Sequence, residues 1–340
     1  MTVARRDQFR RGGTTVLQMG AVAALYFASG KLGLLQNLVV DEVTPLWPAS
    51  GIALASLLLL GPRIWPGIAL GVFLIYITLT TSIPAILVIM AGDTLAALCS
   101  YALLRRAGFR TQMNRLRDAL ALVFLGAFTG MLISATVGTS TLHLAHELPA
   151  AGFWPTWWVW WTGDAMGILV VTPVLLALRS ARWPKDAAPH RWAEGSLLVA
   201  ATIGICLLET SPTPFLFQAF PLLTWAAFRF QRAGAAPCAL AVSTFAVLAA
   251  ARRSGPFADH TLLTNMIALQ AFNGTAALTA LLLAAAVTER NQTQEKIEQA
   301  SRRLAEMVAR IAPDASGLPM LGKDRQRDQE EDNGGPARPS

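Results

Sequence analysis

The sequence predicts an all-α, polytopic membrane protein, and three observations support that prediction. Of its 340 residues 54% are hydrophobic and only 14% are charged, whereas a soluble domain carries about 25% charged residues. The apolar residues form continuous runs between positions 14 and 287, and charged residues gather at both ends. Many runs approach the roughly 20 residues that a helix needs to cross a bilayer. These observations exclude a soluble enzyme, a nucleic-acid-binding module and a disordered chain, and unbroken runs argue against an outer-membrane barrel.

In chain order, the apolar runs predict a transmembrane helical bundle of about ten spans. Their approximate bounds are 14–35, 49–61, 64–80, 83–104, 117–141, 156–178, 193–210, 214–230, 234–251 and 261–287. The second run is short and the eighth contains Pro221. Either of these two could therefore be a re-entrant or broken helix, and eight spans is the alternative count.

The distribution of arginine and lysine predicts the orientation of these spans. Cytoplasmic loops of membrane proteins carry an excess of these residues. With the N-terminus in the cytoplasm, 16 of them lie in inner segments and 3 in outer segments. The inner set is Arg5, Arg6, Arg10, Arg11, Arg63, Arg105, Arg106, Arg110, Arg115, Arg117, Arg179, Arg182, Lys185, Arg191, Arg229 and Arg232; the outer set is Lys31, Arg252 and Arg253. The sequence therefore predicts that both termini are cytoplasmic.

Polar segments flank the predicted transmembrane domain, residues 14–287. Residues 1–13 form a basic cytoplasmic N-terminus, residues 288–311 a cytoplasmic signalling helix, and residues 312–340 a tail expected to be disordered. Apolar residues in the helix repeat at intervals of three and four: Ile297, Ala300, Leu304, Met307 and Ile311. Such a seam is typical of a coiled coil but covers only about two heptads. A homodimer through this helix is therefore one expected assembly.

Asp164 is the most informative residue of the predicted spans because it lies about eight residues into the sixth. An ionisable group at that depth is costly unless it faces a cavity or a partner. At helical spacing, Asp164 shares a face with Trp157, Trp160, Trp161 and Gly167. An aromatic wall above a carboxylate could bind a cationic or sugar-like ligand. The other interpretation, which stays open, is a carboxylate that only hydrogen-bonds a neighbouring helix.

Asp93 lies in the middle of the fourth span, where the same argument about depth applies. We expect it to make an interhelical hydrogen bond, and a role with a proton or a cation is the alternative. His143 and His146 are spaced for one helical turn beside Glu147, but a further metal ligand is missing from the pattern. We therefore predict no metal site, no cofactor and no catalytic residues.

The segment from Thr44 to Gly51 interrupts the first apolar region. Its prolines, Pro45 and Pro48, prevent a regular helix, and non-helical backbone at membrane depth must be buried in protein or line a cavity. We expect the segment to fold into the outer half of the bundle, with Ser50 as the N-cap of the second span.

Three stretches together resemble the bacterial MASE1 family, an integral membrane sensor domain. They are LWPASGIALA at 46–55, GPRIWPG at 61–67 and WVWWTGDAMGILVVTP at 158–173. The resemblance covers about residues 15–290. The family-motif positions that it assigns are Trp47, Pro48, Gly51, Trp161, Gly163, Asp164, Gly167 and Pro173. We expect Trp47 to bind a ligand together with Asp164, Trp157, Trp160 and Trp161.

The resemblance implies a sensory input protein in the bacterial inner membrane. Family members usually precede a histidine kinase, a diguanylate cyclase or a phosphodiesterase. No motif of such output domains follows Ile311, so we expect a cytoplasmic histidine kinase or diguanylate cyclase to be supplied in trans. The alternative function is a small-molecule or ion transporter, since broken spans and buried acids suit one. An intramembrane enzyme is the least favoured reading, because no nucleophile–base set is evident.

Overall fold

Helices account for nearly all of the structure. The computed structural model describes residues 2–34, 44–80, 82–180, 189–209, 216–258 and 262–311, and no strand occurs within these ranges. The α-helices are α1 (Thr2–Leu34), α2 (Pro48–Leu60), α3 (Trp65–Tyr76), α4 (Ile83–Arg106), α5 (Leu116–Ala121), α6 (Gly130–Leu144), α7 (Phe153–Ser180), α8 (Pro189–Glu209), α9 (Ala219–Ala251) and α10 (Leu262–Ile311). A π-helical segment, Leu122–Thr129, joins α5 to α6. The predicted all-α class is thus confirmed for the described chain.

Six helical stretches of the described chain are long and apolar enough to cross a membrane. They are Ile83–Arg106, Leu116–Leu144, Ala150–Ser180, His190–Glu209, Leu216–Ala251 and Thr264–Val308, and the apolar helices at Pro48–Leu60 and Pro62–Tyr76 are shorter. The structure therefore supports a multi-pass membrane protein. The predicted number of ten spans is not confirmed.

The predicted eighth and ninth spans form a single helical run, α9, with a break inside it. The break lies at Gln231, whose φ of 52° and ψ of −140° are not helical. A non-glycine residue with positive φ is uncommon, and the side chain of Gln231 accepts a hydrogen bond from Thr288 of α10 at 3.1 Å. The sequence predicted the position of the interruption to within a few residues. It did not predict how the two helical parts of α9 join at Gln231.

Proline and glycine define the ends of α2. The helix begins at Pro48, where the missing N–H costs nothing. It ends at Gly61, whose φ of 89° favours glycine and whose N–H bonds to the Leu57 carbonyl at 2.9 Å. The predicted N-cap role of Ser50 is wrong, because Trp47 occupies that position without a side-chain cap. Ser50 lies inside α2, and its hydroxyl bonds to another helix instead.

The chain divides into two compact units at Glu289 and Arg290. The first unit contains the apolar cores, to which α1–α4, α6 and α7 contribute together with α9 and the first part of α10. The second unit, as far as it is described, is the rest of α10, whose described side chains are exposed except for that of Gln292, which is partly exposed. The predicted tail 312–340 lies outside the described residues, as do Arg182, Lys185 and the side chains of residues 2–12.

Candidate functional site

Helices α2 and α7 cross with backbone packed against backbone. A Cβ atom on Gly51 would overlap the carbonyl oxygen of Gly167, and one on Gly167 would overlap the carbonyl oxygen of Trp47. A Cβ atom on Gly163 would overlap the carbonyl oxygen of Thr44. Beside these contacts the Trp47 N–H donates to the Gly163 carbonyl at 3.0 Å. Small residues at a helix crossing allow this close approach, so the glycines of the sequence motifs define the crossing.

The end of the crossing towards Pro173 is closed by a side-chain hydrogen bond. The hydroxyl of Thr172 is fully buried and donates to the Gly51 carbonyl at 3.0 Å. Pro173 lies inside α7 and, like Pro48 at the start of α2, supplies no backbone N–H. The two motif prolines thus frame the crossing.

Asp164 lies beside this crossing and is held by hydroxyl groups of two other helices. Its residue surface is only 3% exposed. Ser50 of α2 donates to Oδ1 at 2.5 Å, and Ser134 of α6 donates to Oδ2 at 2.6 Å. Hydrogen bonds to a carboxylate are short and strong. The carboxylate therefore joins α2, α6 and α7 at one point.

Ser134 also connects Asp164 to Asp93, which is only partly buried. Its Oγ lies 2.7 Å from Oδ1 of Asp93 on α4 and 3.1 Å from the indole nitrogen of Trp160. Helices α4 and α6 pack closely at Gly92, where an added Cβ atom would lie 2.6 Å from a methyl of Val137. Asp93 thus makes an interhelical hydrogen bond. The two acids, 71 positions apart in sequence, meet at a single hydroxyl.

The tryptophans of α7 pack against the helix that carries Ser134. The rings of Trp157 and Trp161 are stacked, with centroids 5.9 Å apart. The indole of Trp157 donates to Thr136 at 3.1 Å, and that of Trp161 donates to the Phe128 carbonyl at 2.9 Å. Phe128 belongs to the π-helical segment, a geometry frequent at functional sites. The aromatic residues therefore bind α7 to the α5–α6 helix.

A small cavity lies next to Asp93. Its volume is about 10 Å³, which is room for about one water molecule. It is lined by Tyr26, Ser50, Ala53, Asp93, Ala97, Met131 and Ser134. The residues predicted from the sequence to bind a ligand do not line it; they are Trp47, Trp157, Trp160, Trp161 and Asp164. Their ligand-binding role stays a prediction.

Sequence reasoning did not assign three residues to this site: Tyr26, Ser134 and Ser50, which was expected only as a helix cap. Tyr26 is 2% exposed and lies in α1, and its hydroxyl lies close to the indole of Trp47. Ser134 is one of several small polar residues in an apolar run. A hydroxyl within a span is common because it can bond its own helix. Only the position of Asp164 opposite it distinguishes Ser134 from the others.

The histidines considered for a metal site lie at the end of α6. The Nδ1 atom of His143 is 3.0 Å from the Leu148 carbonyl, and His146 has a φ of 62°. Within the described ranges no group of three His, Cys, Asp or Glu side chains is arranged to hold a metal ion.

Comparison with known proteins gives one match. The model of the MASE1 family matches residues 18–291. No curated protein and no solved structure matches the chain. The matched range includes α2, α7, Asp93 and Asp164.

Proposed function

Because the chain belongs to the MASE1 family of membrane sensor domains, we propose that it is an integral membrane sensory input protein. In this proposal a small ligand or a state of the membrane changes the arrangement of α2, α4, α6 and α7 around Asp164. The change is relayed to a separate cytoplasmic partner. Both termini lie in the cytoplasm, on the inner side of the bacterial plasma membrane.

The observation that carries the proposal is the polar centre within an apolar bundle. Asp164, Ser134 and Asp93 lie in helices that are otherwise apolar. Ionisable residues inside membrane spans are costly and generally serve a function. Because the centre joins four helices through side chains, any ligand that competes for one hydroxyl alters the contacts of all four. Such differential contacts are what a ligand needs to shift a conformational equilibrium.

Helix α10 supports the proposed route to a partner. It is 50 residues long, whereas about 20 are enough to cross the hydrocarbon core. Beyond Glu289 its residues are largely polar, and Ile297, Leu304 and Met307 are at least 50% exposed. An exposed apolar seam on a helix is suited to a second helix. We propose that this seam forms a homodimer or contacts a histidine kinase or diguanylate cyclase supplied in trans.

A fusion protein tests the proposal. Residues 1–311 would be joined to a diguanylate cyclase catalytic domain that lacks its own input, and cyclic dinucleotide would be measured in cells. Asp164→Asn keeps the side-chain shape and should change the output at equal protein level in the membrane. Glu194→Gln, at an exposed ion pair with Arg229, is the matched control and should leave output unchanged. Wild-type output from the Asp164→Asn fusion would contradict the proposal.

A deletion gives a second test of the relay. Removing residues 290–311 from the fusion should abolish the effect of Asp164→Asn while the protein still inserts. An Asp164→Asn effect that survives the deletion would show that the seam is not the route.

Transport remains the other hypothesis. The break in α9 and the acids inside the helices are features also found in transporters. The cavity beside Asp93, at about 10 Å³, is far smaller than the roughly 300–1,000 Å³ of typical small-molecule sites. Uptake of a solute by the purified protein in liposomes would favour transport over sensing.

A further inference from the structure

The Ser134 hydroxyl has more partners than one proton can serve. Its oxygen lies within hydrogen-bond distance of Asp93, Asp164 and the Trp160 indole. A serine hydroxyl has one proton to donate and two lone pairs, and an indole can only donate. Trp160 therefore occupies one lone pair. One proton and one lone pair remain for two carboxyl groups, so one carboxyl must itself donate a proton to Ser134.

Nothing else described around the pair supplies a positive charge. The ion pairs of the described chain are Arg229–Glu194 and Arg302–Glu298, and neither involves the two acids. The groups that face the pair are uncharged side chains of α1, α2, α6 and α7, with α3 behind the Trp160 ring: Tyr26, Ser50, Ser134, Trp160 and Tyr76. Buried charges are paired or neutralised. A proton neutralises one of the two carboxyls without a further side chain.

Tyr26 provides an independent indication of a ligand at this place. Its side chain is 98% buried and lines the cavity next to Asp93. The Trp47 indole lies close to its hydroxyl group, and within the described chain no hydrogen bond gives the hydroxyl proton an acceptor. The cavity has room for about one water molecule. A water there can accept from Tyr26 and donate to Asp93.

We propose that Asp93 and Asp164 hold one proton between them through Ser134, and that this proton, exchanged through a water in the Tyr26 cavity, is the ligand of the site. Release transfers the proton from a carboxyl group to the cavity water and leaves two carboxylates where there was one. The single hydroxyl proton of Ser134 can then bond to only one of the two carboxylates. The other carboxylate lacks this hydrogen bond and repels the first. The bond between α4 and α6 or that between α6 and α7 is lost. This inference rests on the proposed sensory function, because it names the signal as the proton.

Infrared spectroscopy of the full chain in liposomes tests the proton directly. A protonated carboxyl has a carbonyl band separate from those of carboxylate and amide groups, and the band shifts in deuterated water. We expect one such band in the wild type, reduced as the pH is raised. The double variant Asp93→Asn, Asp164→Asn should lose it, and Ser134→Ala should shift it because the acid loses its partner.

Glu209 is the matched control for this band. It is 1% exposed, and neither of its carboxylate oxygens has a partner in the described chain, so it could give a similar signal. Glu209→Gln must leave the pH-dependent band in place. Absence of the band in the wild type at every pH, or its persistence in the double aspartate variant that also carries Glu209→Gln, would overturn the inference.

Sodium distinguishes a proton from a metal cation. If a cation occupies the cavity instead, sodium chloride at constant pH should remove the band while choline chloride should not, and this result would also overturn the proton assignment.

The cyclase fusion distinguishes failure of the proton site from failure of the sensory function. A pH-dependent band with an output that ignores pH and Asp164→Asn would leave the proton site standing and refute the sensory function. A cyclase output that responds to Asp164→Asn, in a protein that shows no protonated-carboxyl band, would refute the proton site and leave the sensory function standing.

Discussion

Replacing Gly167 by alanine forces a methyl group into the crossing of α2 and α7. The new carbon would overlap the carbonyl oxygen of Trp47 and lie 2.7 Å from the carbonyl carbon. Both are backbone atoms, so the start of α2 must move. That movement breaks the 3.0 Å hydrogen bond from Trp47 to Gly163. The change therefore combines overpacking with the loss of a backbone hydrogen bond.

The expected loss of stability is roughly 2 kcal/mol. Overpacking a tight contact costs about 1–3 kcal/mol, and the broken hydrogen bond adds about 0.5–1.5 kcal/mol. The higher helix propensity of alanine offsets up to about 1 kcal/mol of this loss of stability. Overpacking contributes more than the lost hydrogen bond, because removing the overlap requires the start of α2 to move and not only one side chain.

Reversible unfolding in mixed detergent micelles, followed by tryptophan fluorescence, measures this loss. The matched control is Gly204→Ala in α8, where an added Cβ atom meets nothing within 4 Å. We expect the control to unfold at the same denaturing detergent fraction as the wild type or at a slightly higher one, and Gly167→Ala at a clearly lower one. Equal midpoints for the two alanine variants would refute the backbone contact.

Three further substitutions probe other contacts. Thr172→Val removes the hydroxyl that joins α7 to α2 and should destabilise by about 0.6–1.7 kcal/mol, whereas Thr275→Val removes a hydroxyl that bonds only its own helix and should cost less in the same unfolding assay. Trp160→Phe keeps an aromatic ring but loses the donor to the bridging serine; a loss of about 1 kcal/mol is expected, and unchanged unfolding would contradict it. Leu304→Glu should abolish cross-linking of a homodimer, whereas Ala305→Glu, off the seam, should not; equal cross-linking in both would reject the seam.

The fold could be read from the sequence where the physical signal is local. Continuous apolar runs predicted membrane helices because each span must satisfy its own backbone, and the predicted second span, 49–61, agrees with α2, Pro48–Leu60, to within one residue. The break near Gln231 was predicted as a gap between two spans. Its conformation was not, since a positive φ at glutamine depends on neighbours such as Thr288. The predicted cap at Ser50 failed because the helix begins at Pro48, so that Ser50 lies inside α2, where its hydroxyl bonds to Asp164.

The site was only half visible in the sequence. Asp164 and Asp93 stood out because a carboxyl group is costly at membrane depth, and that signal needs no knowledge of neighbours. Their meeting at Ser134 could not be foreseen, because nothing in the spacing of α4, α6 and α7 states which faces pack together. The tryptophans shared a face with Asp164 as expected from helical spacing. Their indole groups donate to α6 and to the π-helical segment, an arrangement that only packing determines.

By itself, the sequence determined that this chain is a membrane-embedded helical protein with acids inside its spans, because hydrophobicity and charge act residue by residue. The tertiary structure decided that two of those acids share one hydroxyl beside a cavity the size of a water molecule. That arrangement depends on glycines that let helix backbones touch, and the register of such contacts is set by the packing of whole helices. The local sequence pattern therefore identified the acids that are costly to place inside the membrane. Only the packed structure shows the hydrogen bonds that offset this cost.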